Sequence, residues 1–194
     1  MQTIIAKVLW LGATRCVSLP VHMLVPNEDV RAACVRNRCN HYGCNYMCPP
    51  HIGSFDEIAR KLGDFNAGVL FQQEHLVDKA NDTDYVNRTQ QASYDLVIAV
   101  EQYLKSLGIA RVWGMPGGHC IVCTPCNAEK KNPCAYPNRA RNSLEAIGIR
   151  VLTLNKALGL DCEFHDDKVV WTASVLWSDA RDFSTSSMSP SGNR

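Results

Sequence analysis

Residues 169–177 read VVWTASVLW and give the clearest indication of the fold class. Successive side chains of a strand point to opposite faces, so alternate positions of this stretch share one face. That face would carry a continuous apolar row, formed by Val169, Trp171, Ala173, Val175 and Trp177. The alternation predicts a half-exposed strand at the edge of a sheet.

Short apolar runs elsewhere predict further strands, within residues 1–16, 20–25, 68–71, 110–114 and 149–154. Helical patterns lie between several of these runs, and strands that alternate with helices are typical of α/β proteins. We therefore expect an α/β fold with a mainly parallel or mixed sheet flanked by helices. We expect two cysteine-rich loops, at about residues 39–53 and 117–137, to be inserted into this fold.

Capping residues mark where the helices begin. Asn27, followed by two carboxylates, predicts the start of a short helix. Residues 54–57 read Ser-Phe-Asp-Glu, a capping box that predicts a second helix. Apolar residues spaced by four and three predict a long helix from residue 82 or 83 to just before Gly108. A further short helix is predicted over residues 142–147.

Length and charge limit the possible classes of protein. The chain has 194 residues, which suits a single domain over residues 1–183, with a disordered polar tail at residues 184–194. A chain of this size buries roughly 70% of its unfolded surface and needs no disulfide or metal to fold. The net charge of +1 argues against general electrostatic binding of nucleic acid. No apolar run approaches the ~20 residues of a membrane span.

Ten cysteines are many for a chain of this length. The N-terminal residues lack the basic region and the cleavage site of a secretory signal peptide. We therefore expect a reducing, cytoplasmic compartment, in which the thiols serve as metal ligands and not as disulfides. Cys16 and Cys162 stand alone in apolar stretches, and we expect both to be buried.

A second cysteine-rich loop contains Cys120, Cys123, Cys126 and Cys134, with the spacing C-x2-C-x2-C-x7-C. Bacterial ferredoxins use the same triplet and a remote fourth cysteine to hold a [4Fe–4S] cluster. Structural zinc sites normally use two separate C-x2-C pairs, which this overlapping triplet fits poorly. The spacing favours iron–sulfur and leaves zinc, disulfides or packing cysteines as alternatives.

The first cysteine-rich loop contains Cys34, Cys39, Cys44 and Cys48 within fifteen residues, followed by PPHIG at residues 49–53. This spacing matches neither zinc fingers nor ferredoxins. Buried structural cysteines have no reason to cluster in a loop rich in glycine and proline, so the cluster indicates metal ligation.

The two loops together resemble a known family. The pattern C-x4-C-x2-Y-G-x4-C-P-P-x2-G at residues 34–53 is similar to the N-terminal motif of the predicted metal-binding proteins grouped as domain of unknown function 2284. The likeness continues with G-x-C-x2-C-x2-C at residues 118–126 and C-x2-P-x3-R-x-S-x-E-A-x-G-I at residues 134–149. It covers about residues 25–154, which is most of the chain.

The resemblance implies seven cysteine ligands, which are Cys34, Cys39, Cys48, Cys120, Cys123, Cys126 and Cys134. Seven divides into four and three. Four thiolates would saturate one [4Fe–4S] cluster, whereas three would leave one iron of a second cluster open to water, substrate or another ligand. Cys44 and His51 are candidates for that open position.

Four other residues near the loops are candidates for roles around a metal. Tyr42 and Arg31 are near enough in sequence to the first loop to surround its ligands. His119 is a candidate ligand or a residue that orients backbone or substrate. Glu145 is interpreted as a capping residue or an acid–base group.

The expected function is that of a [4Fe–4S] protein with one or two clusters. It would perform redox or Lewis-acid chemistry on a small molecule, or transfer electrons to a partner protein. A zinc-binding interaction module without catalysis is the alternative. No nucleotide, flavin or serine-hydrolase motif is present, so the sequence leaves open whether the protein is an enzyme, such as an oxidoreductase or a lyase. We expect no membrane or nucleic-acid partner.

Overall fold

The computed structural model describes residues 1–178, in which four strands form one antiparallel sheet. The strands are β1 (Arg15–Ser18), β2 (Ala67–Leu76), β3 (Val112–Met115) and β4 (Lys168–Trp177). Their order in the sheet is β1-β2-β4-β3. The predicted disordered tail at residues 184–194 lies outside the described residues.

The antiparallel pairing shows that the expected mainly parallel or mixed sheet was wrong. Helix α4 (Tyr85–Ser106) connects β2 to β3. These two strands run in the same direction, since β4 pairs antiparallel with both: Val175 is the register partner of Val69 and of Gly114. The strand–helix–strand connection indicated by the sequence is therefore present, but β4 separates its two strands.

This position of β4 also corrects the prediction of a half-exposed edge strand. Ser174, Val175 and Leu176 are all completely buried, although they alternate between the two faces. Leu176 packs with Leu70 in one apolar core, and Val175 packs with Val69 in another. Because a core covers each face, the second half of β4 has no solvent side.

Helices α1 (Gln2–Trp10) and α4 cover the face that bears Val175. The strand expected within residues 1–16 is wrong for its first part, because Ile4, Val8 and Leu11 recur at helical spacing and pack on this core. Only the residues from Arg15 onward are extended. The long helix predicted from residue 82 or 83 is confirmed, and its core-facing side chains include Leu96, Val97, Val100 and Leu104.

The opposite face is covered by helices α3 (Phe55–Leu62) and α5 (Val151–Ala157), and α2 (Glu28–Val35) precedes the first cysteine-rich loop. Both predicted caps are confirmed. The Asn27 side chain accepts a hydrogen bond from the Asp29 N–H at 3.0 Å. In the capping box, the Glu57 N–H donates to Ser54 Oγ at 3.2 Å, and the Ser54 N–H donates back to Glu57 Oε2.

Three short elements differ from their predictions. Residues 20–25 contain a 3₁₀ helix, Val21–Met23, and residues 142–147 form turns rather than a helix. Residues 149–154 lead into helix α5 and not a strand, because Val151 and Leu154 are three residues apart and both pack on the core. No helix within residues 1–178 is both long and apolar enough to cross a membrane.

Candidate metal centre

Both cysteine-rich segments are irregular chain held beside the sheet. Cys34 lies in the last turn of α2, and residues 36–53 continue as turns into the capping box of α3. The second segment begins after β3 ends at Met115, with only a short 3₁₀ helix, Asn127–Lys130, before residue 150. Apart from Cys34, the candidate ligands of both sets therefore lie outside regular helices and strands.

The four cysteines of the second segment line one largely enclosed cavity. These residues are Cys120, Cys123, Cys126 and Cys134. Asn45, Tyr46 and Met47 from the first segment complete part of its wall. Cys120 is the most deeply placed of the four, with 7% of its surface exposed. The structure thus brings together all four ligands predicted for this loop.

Buried hydrogen bonds hold this closed set in place. The Asn45 side-chain N–H donates to the Cys120 carbonyl at 2.9 Å, which joins the two segments. The Tyr94 hydroxyl on α4 donates to the Arg139 carbonyl at 2.7 Å and lies 3.7 Å from Cys120 Sγ. Burial, together with the charge of Cys120, raises the pKa of Tyr94. Tyr94 therefore remains a neutral hydrogen-bond donor beside the sulfur.

A buried ion pair anchors the end of the second segment. Arg141 Nε and Nη2 donate to the two carboxylate oxygens of Glu101 on α4 at 2.8 and 2.7 Å. Glu101 also accepts the Gly114 N–H at 2.7 Å, so one carboxylate joins α4, β3 and the segment that follows Cys134. The hydrogen bond with Glu101 raises the pKa of Arg141, which stays charged.

The three other predicted ligands, Cys34, Cys39 and Cys48, line a more open cavity of about 280 Å³. Cys44 and His51 do not line it, although the sequence suggested them for an open position. The His51 ring nitrogen Nε2 lies 3.1 Å from the Gly43 carbonyl instead. Tyr42, which the sequence placed near the first loop, lines this cavity together with His41, His119 and Glu145, and all four have side chains with ligand chemistry.

His41 and His119 come from different segments and stack with their ring centroids 3.5 Å apart and their planes 18° apart. Burial lowers the pKa of His41, and burial with the nearby His41 lowers the pKa of His119 to about 4. Both rings are therefore neutral at neutral pH and keep a nitrogen lone pair. Sequence reasoning missed this pair because no short spacing connects the two histidines.

Glu145 and Arg31 supply the charges near the open set. Glu145 lines the open cavity and is exposed to solvent there, and desolvation by the surrounding protein raises the pKa of its carboxyl group. Arg31 Nη1 donates to the Gly53 carbonyl at 2.7 Å. Its Nε and Nη2 atoms are buried and have no hydrogen-bond partner within residues 1–178. Burial, Cys39 and Glu145 raise the pKa of Cys34, and Arg31 opposes them.

Cys48 lies between the two sets. Burial raises the pKa of its thiol to about 12, and four neighbouring thiolates add to this rise. Two of them, Cys39 and Cys34, belong to the open set, and the other two, Cys120 and Cys126, belong to the closed set. The seven predicted ligands therefore form two adjoining groups and not two distant sites.

The sulfur atoms do not converge on one point. Within residues 1–178, no group of three or more His, Cys, Asp or Glu side chains is arranged to hold a single metal ion. All ten cysteines of the chain are free thiols. Cys16 was expected to be buried but is only partly so; it packs on a core, and burial raises its pKa to about 12. Cys162 is only partly buried.

The family described as "Predicted metal-binding protein (DUF2284)" has a family model that matches residues 18–177. The chain belongs to this family. The match confirms the resemblance carried by the cysteine motifs, and it extends beyond residues 25–154 to the end of β4. The matched range includes both cysteine sets, and the description of the family supports metal binding. No curated protein and no solved structure matches the chain.

Proposed function

We propose that this protein binds two [4Fe–4S] clusters, one at each cysteine set, and uses them to transfer electrons to a small molecule. The electrons would come from a one-electron carrier protein, and the small molecule would bind at the open set. The observation that carries this proposal is the position of Cys48, which joins an enclosed four-cysteine cavity to an open three-cysteine cavity. Free thiols suit the cytoplasm, the compartment we propose.

The donor atoms fit iron–sulfur chemistry better than a single zinc ion. Cysteine thiolates are the ligands of [4Fe–4S] clusters. A zinc ion needs sulfur atoms about 2.3 Å from one point, whereas the described residues offer no such convergence. The four thiols that line one cavity match in number the four thiolates that a [4Fe–4S] cluster takes. This arrangement supports iron–sulfur over the zinc alternative.

Arg31 gives an independent indication of an anionic centre beside Cys34. A buried N–H without an acceptor costs about 1–3 kcal/mol, so unpartnered donors in a stable fold call for an explanation. Arg31 has two such nitrogens, and Cys34 is among the groups that act on its charge. Sulfur atoms of a negatively charged centre at the open set would be suitable acceptors.

When bound, such clusters would exchange one electron each, and a cluster held by only three cysteines would leave one iron open to an external ligand. The residues around the open set would act on that ligand. His41 and His119 present neutral rings that accept or donate hydrogen bonds. Glu145 can hold a proton at its carboxyl group, whose pKa is raised by burial. The closed set excludes water and suits electron transfer alone.

Anaerobic reconstitution with iron and sulfide tests the proposal. We expect about eight iron and eight sulfide per chain, since each cluster contains four of each. The brown protein should bleach with dithionite, and added cyanide should change the EPR signal of one cluster only. About four irons would contradict the second cluster. A colourless protein that takes up zinc and no iron would contradict the iron–sulfur assignment altogether.

A further inference from the structure

A groove of about 490 Å³ adjoins the open cysteine cavity. The two share Gly118 and Glu145 in their walls. The groove has the size of a small-molecule site, and most of its wall is apolar. The apolar residues that define it include Ile149, Val151, Leu152, Phe164, Val170 and Trp171.

Two glycines form the boundary between the groove and the cysteine cavity. A Cβ atom at Gly117 would lie 2.8 Å from Trp171 Cε3, and one at Gly118 would lie 2.5 Å from Gln90 Nε2. Gly118 also has a φ of +78°, which favours glycine. These positions therefore exclude side chains, and the backbone of Gly118 is part of the wall of both the groove and the open cysteine cavity.

The groove offers a flat apolar surface with a fixed orientation. Trp171 Nε1 donates to Thr89 Oγ1 at 2.9 Å, which holds the indole ring in place. Phe164 is 91% exposed and Leu152 is 47% exposed beside it. Large apolar side chains exposed together around a concave surface mark a binding site. The groove suits a ligand with an aromatic ring.

The charges of the groove favour a nitrogen donor on that ligand. Arg150 lines the groove, but its Nη2 donates to Asp29 at 2.6 Å and to Asn27 at 3.2 Å, so its charge is matched. Glu145 has no ion-pair partner among residues 1–178. A carboxylate that faces an apolar cavity is stabilised by an ammonium or N–H group.

We propose that the groove binds a small alkylamine that carries an aromatic ring, with its ring against Trp171 and its nitrogen towards Glu145. A molecule held in this way reaches the open cysteine set past Gly118. The inference deepens the proposed function by naming the substrate class of the open set. The role of this molecule as a substrate rests on the proposed function, whereas its binding in the groove does not.

Three probes that each carry one phenyl ring but differ in charge test the proposal. They are 2-phenylethylamine, 2-phenylethanol and 3-phenylpropanoate. Their affinities for the reconstituted and the metal-free protein can be measured by ligand-observed NMR titration. We expect the amine to bind at least tenfold more tightly than the acid, with the alcohol between them. Equal affinities, or tighter binding of the acid, would overturn the proposal.

Variants locate the binding. Leu152→Trp fills the groove from an exposed position and should weaken amine binding at least tenfold, and Thr153→Trp serves as a second blocking variant. Leu9→Trp, at an exposed position of α1, is the matched control and should leave the affinity for the amine unchanged. Glu145→Gln should reduce the preference for amine over acid to less than threefold, whereas Glu129→Gln should keep it. Unchanged binding in a folded blocking variant would overturn the proposal.

Iron content separates this inference from the proposed function. Amine binding with the expected variant effects, in a protein that takes up no iron, would support the groove and contradict the iron–sulfur proposal. Eight irons per chain without amine binding would contradict only the groove.

Discussion

The closed and the open cysteine sets offer the same kind of proposed ligand in different surroundings. Cys120, Tyr94 and Asn45 seal the closed set with side chains that are at most 7% exposed. The open set faces a cavity of about 280 Å³ with two histidines and a glutamate in its wall. Metal sites with a complete set of protein ligands are generally structural, and those with a vacancy are generally catalytic. The two sets therefore share their type of ligand and differ in how far their surroundings exclude solvent.

The difference in enclosure follows from how each segment is attached. The second segment is fixed to α4 through the Glu101–Arg141 ion pair and through the Tyr94 hydroxyl. The first segment consists of turns between α2 and α3, and Asn45 is its buried contact with the closed set. A segment held at several buried points suits a cavity that excludes water, and a segment with fewer buried contacts leaves an opening.

The largest expected effect is the loss of one cluster. Cys120→Ser removes the deepest ligand of the closed set, so we expect reconstituted protein to lose about four of about eight irons. Cys44→Ser is the matched control because Cys44 lines neither cavity, and it should keep all of its iron. Iron and sulfide analysis measures both. Equal loss in the two variants would show that the closed set is not a separate site.

Breaking the buried ion pair should destabilise the fold next most strongly. Glu101→Ala leaves the guanidinium of Arg141 buried without its partner, which typically costs about 3–5 kcal/mol. Urea denaturation measures the free energy of unfolding. Lys105→Ala is the control, since Lys105 is exposed, lies 4.0 Å from Glu101 and should contribute at most about 1 kcal/mol. A loss below 1 kcal/mol in Glu101→Ala would contradict the anchoring role.

The sequence predicts local elements of this fold better than its sheet. The caps at Asn27 and Ser54 and the long helix α4 depend on neighbours within a few residues, and all three are confirmed. The pairing of β4 depends on β2, about a hundred residues earlier, and no local pattern records it. The run at residues 149–154 fits both a strand and a helix until its core contacts are known.

The same limit applies to the candidate site. The cysteine spacing and the family motif mark all seven candidate ligands, because those signals lie within short segments. The stacking of His41 on His119 and the cavity position of Glu145 join distant parts of the chain. Only the folded structure shows that side chains from the two segments line one open cavity.

Thiol reactivity provides a third test, through the position of Cys48 between the sets. Its pKa is raised from the usual 9.0 to about 12. At pH 8 its thiolate fraction is about a thousandfold lower than that of an ordinary thiol, and the higher intrinsic nucleophilicity offsets part of this. We expect iodoacetamide to alkylate Cys48 in reduced, metal-free protein at least about fortyfold more slowly than exposed Cys39, as measured by peptide mass spectrometry.

The direction of the pH dependence follows from the same pKa. The thiol of Cys48 is protonated at neutral pH, so its thiolate fraction should rise about tenfold per pH unit between pH 8 and 9. An ordinary thiol of pKa 9.0 gains only about fivefold over that interval. Similar rates for Cys48 and Cys39 would contradict the burial of Cys48 between the two sets.

The smallest expected effect comes from removing one hydroxyl group. Tyr94→Phe leaves the Arg139 carbonyl without its donor and should cost about 1–2 kcal/mol of unfolding free energy in urea. The EPR signal of the closed set should change because Cys120 Sγ lies 3.7 Å away, while the response of the open set to cyanide should not. Tyr103→Phe, on the same helix, is the control. If both signals changed equally, the enclosure by α4 would not be what distinguishes the two sets.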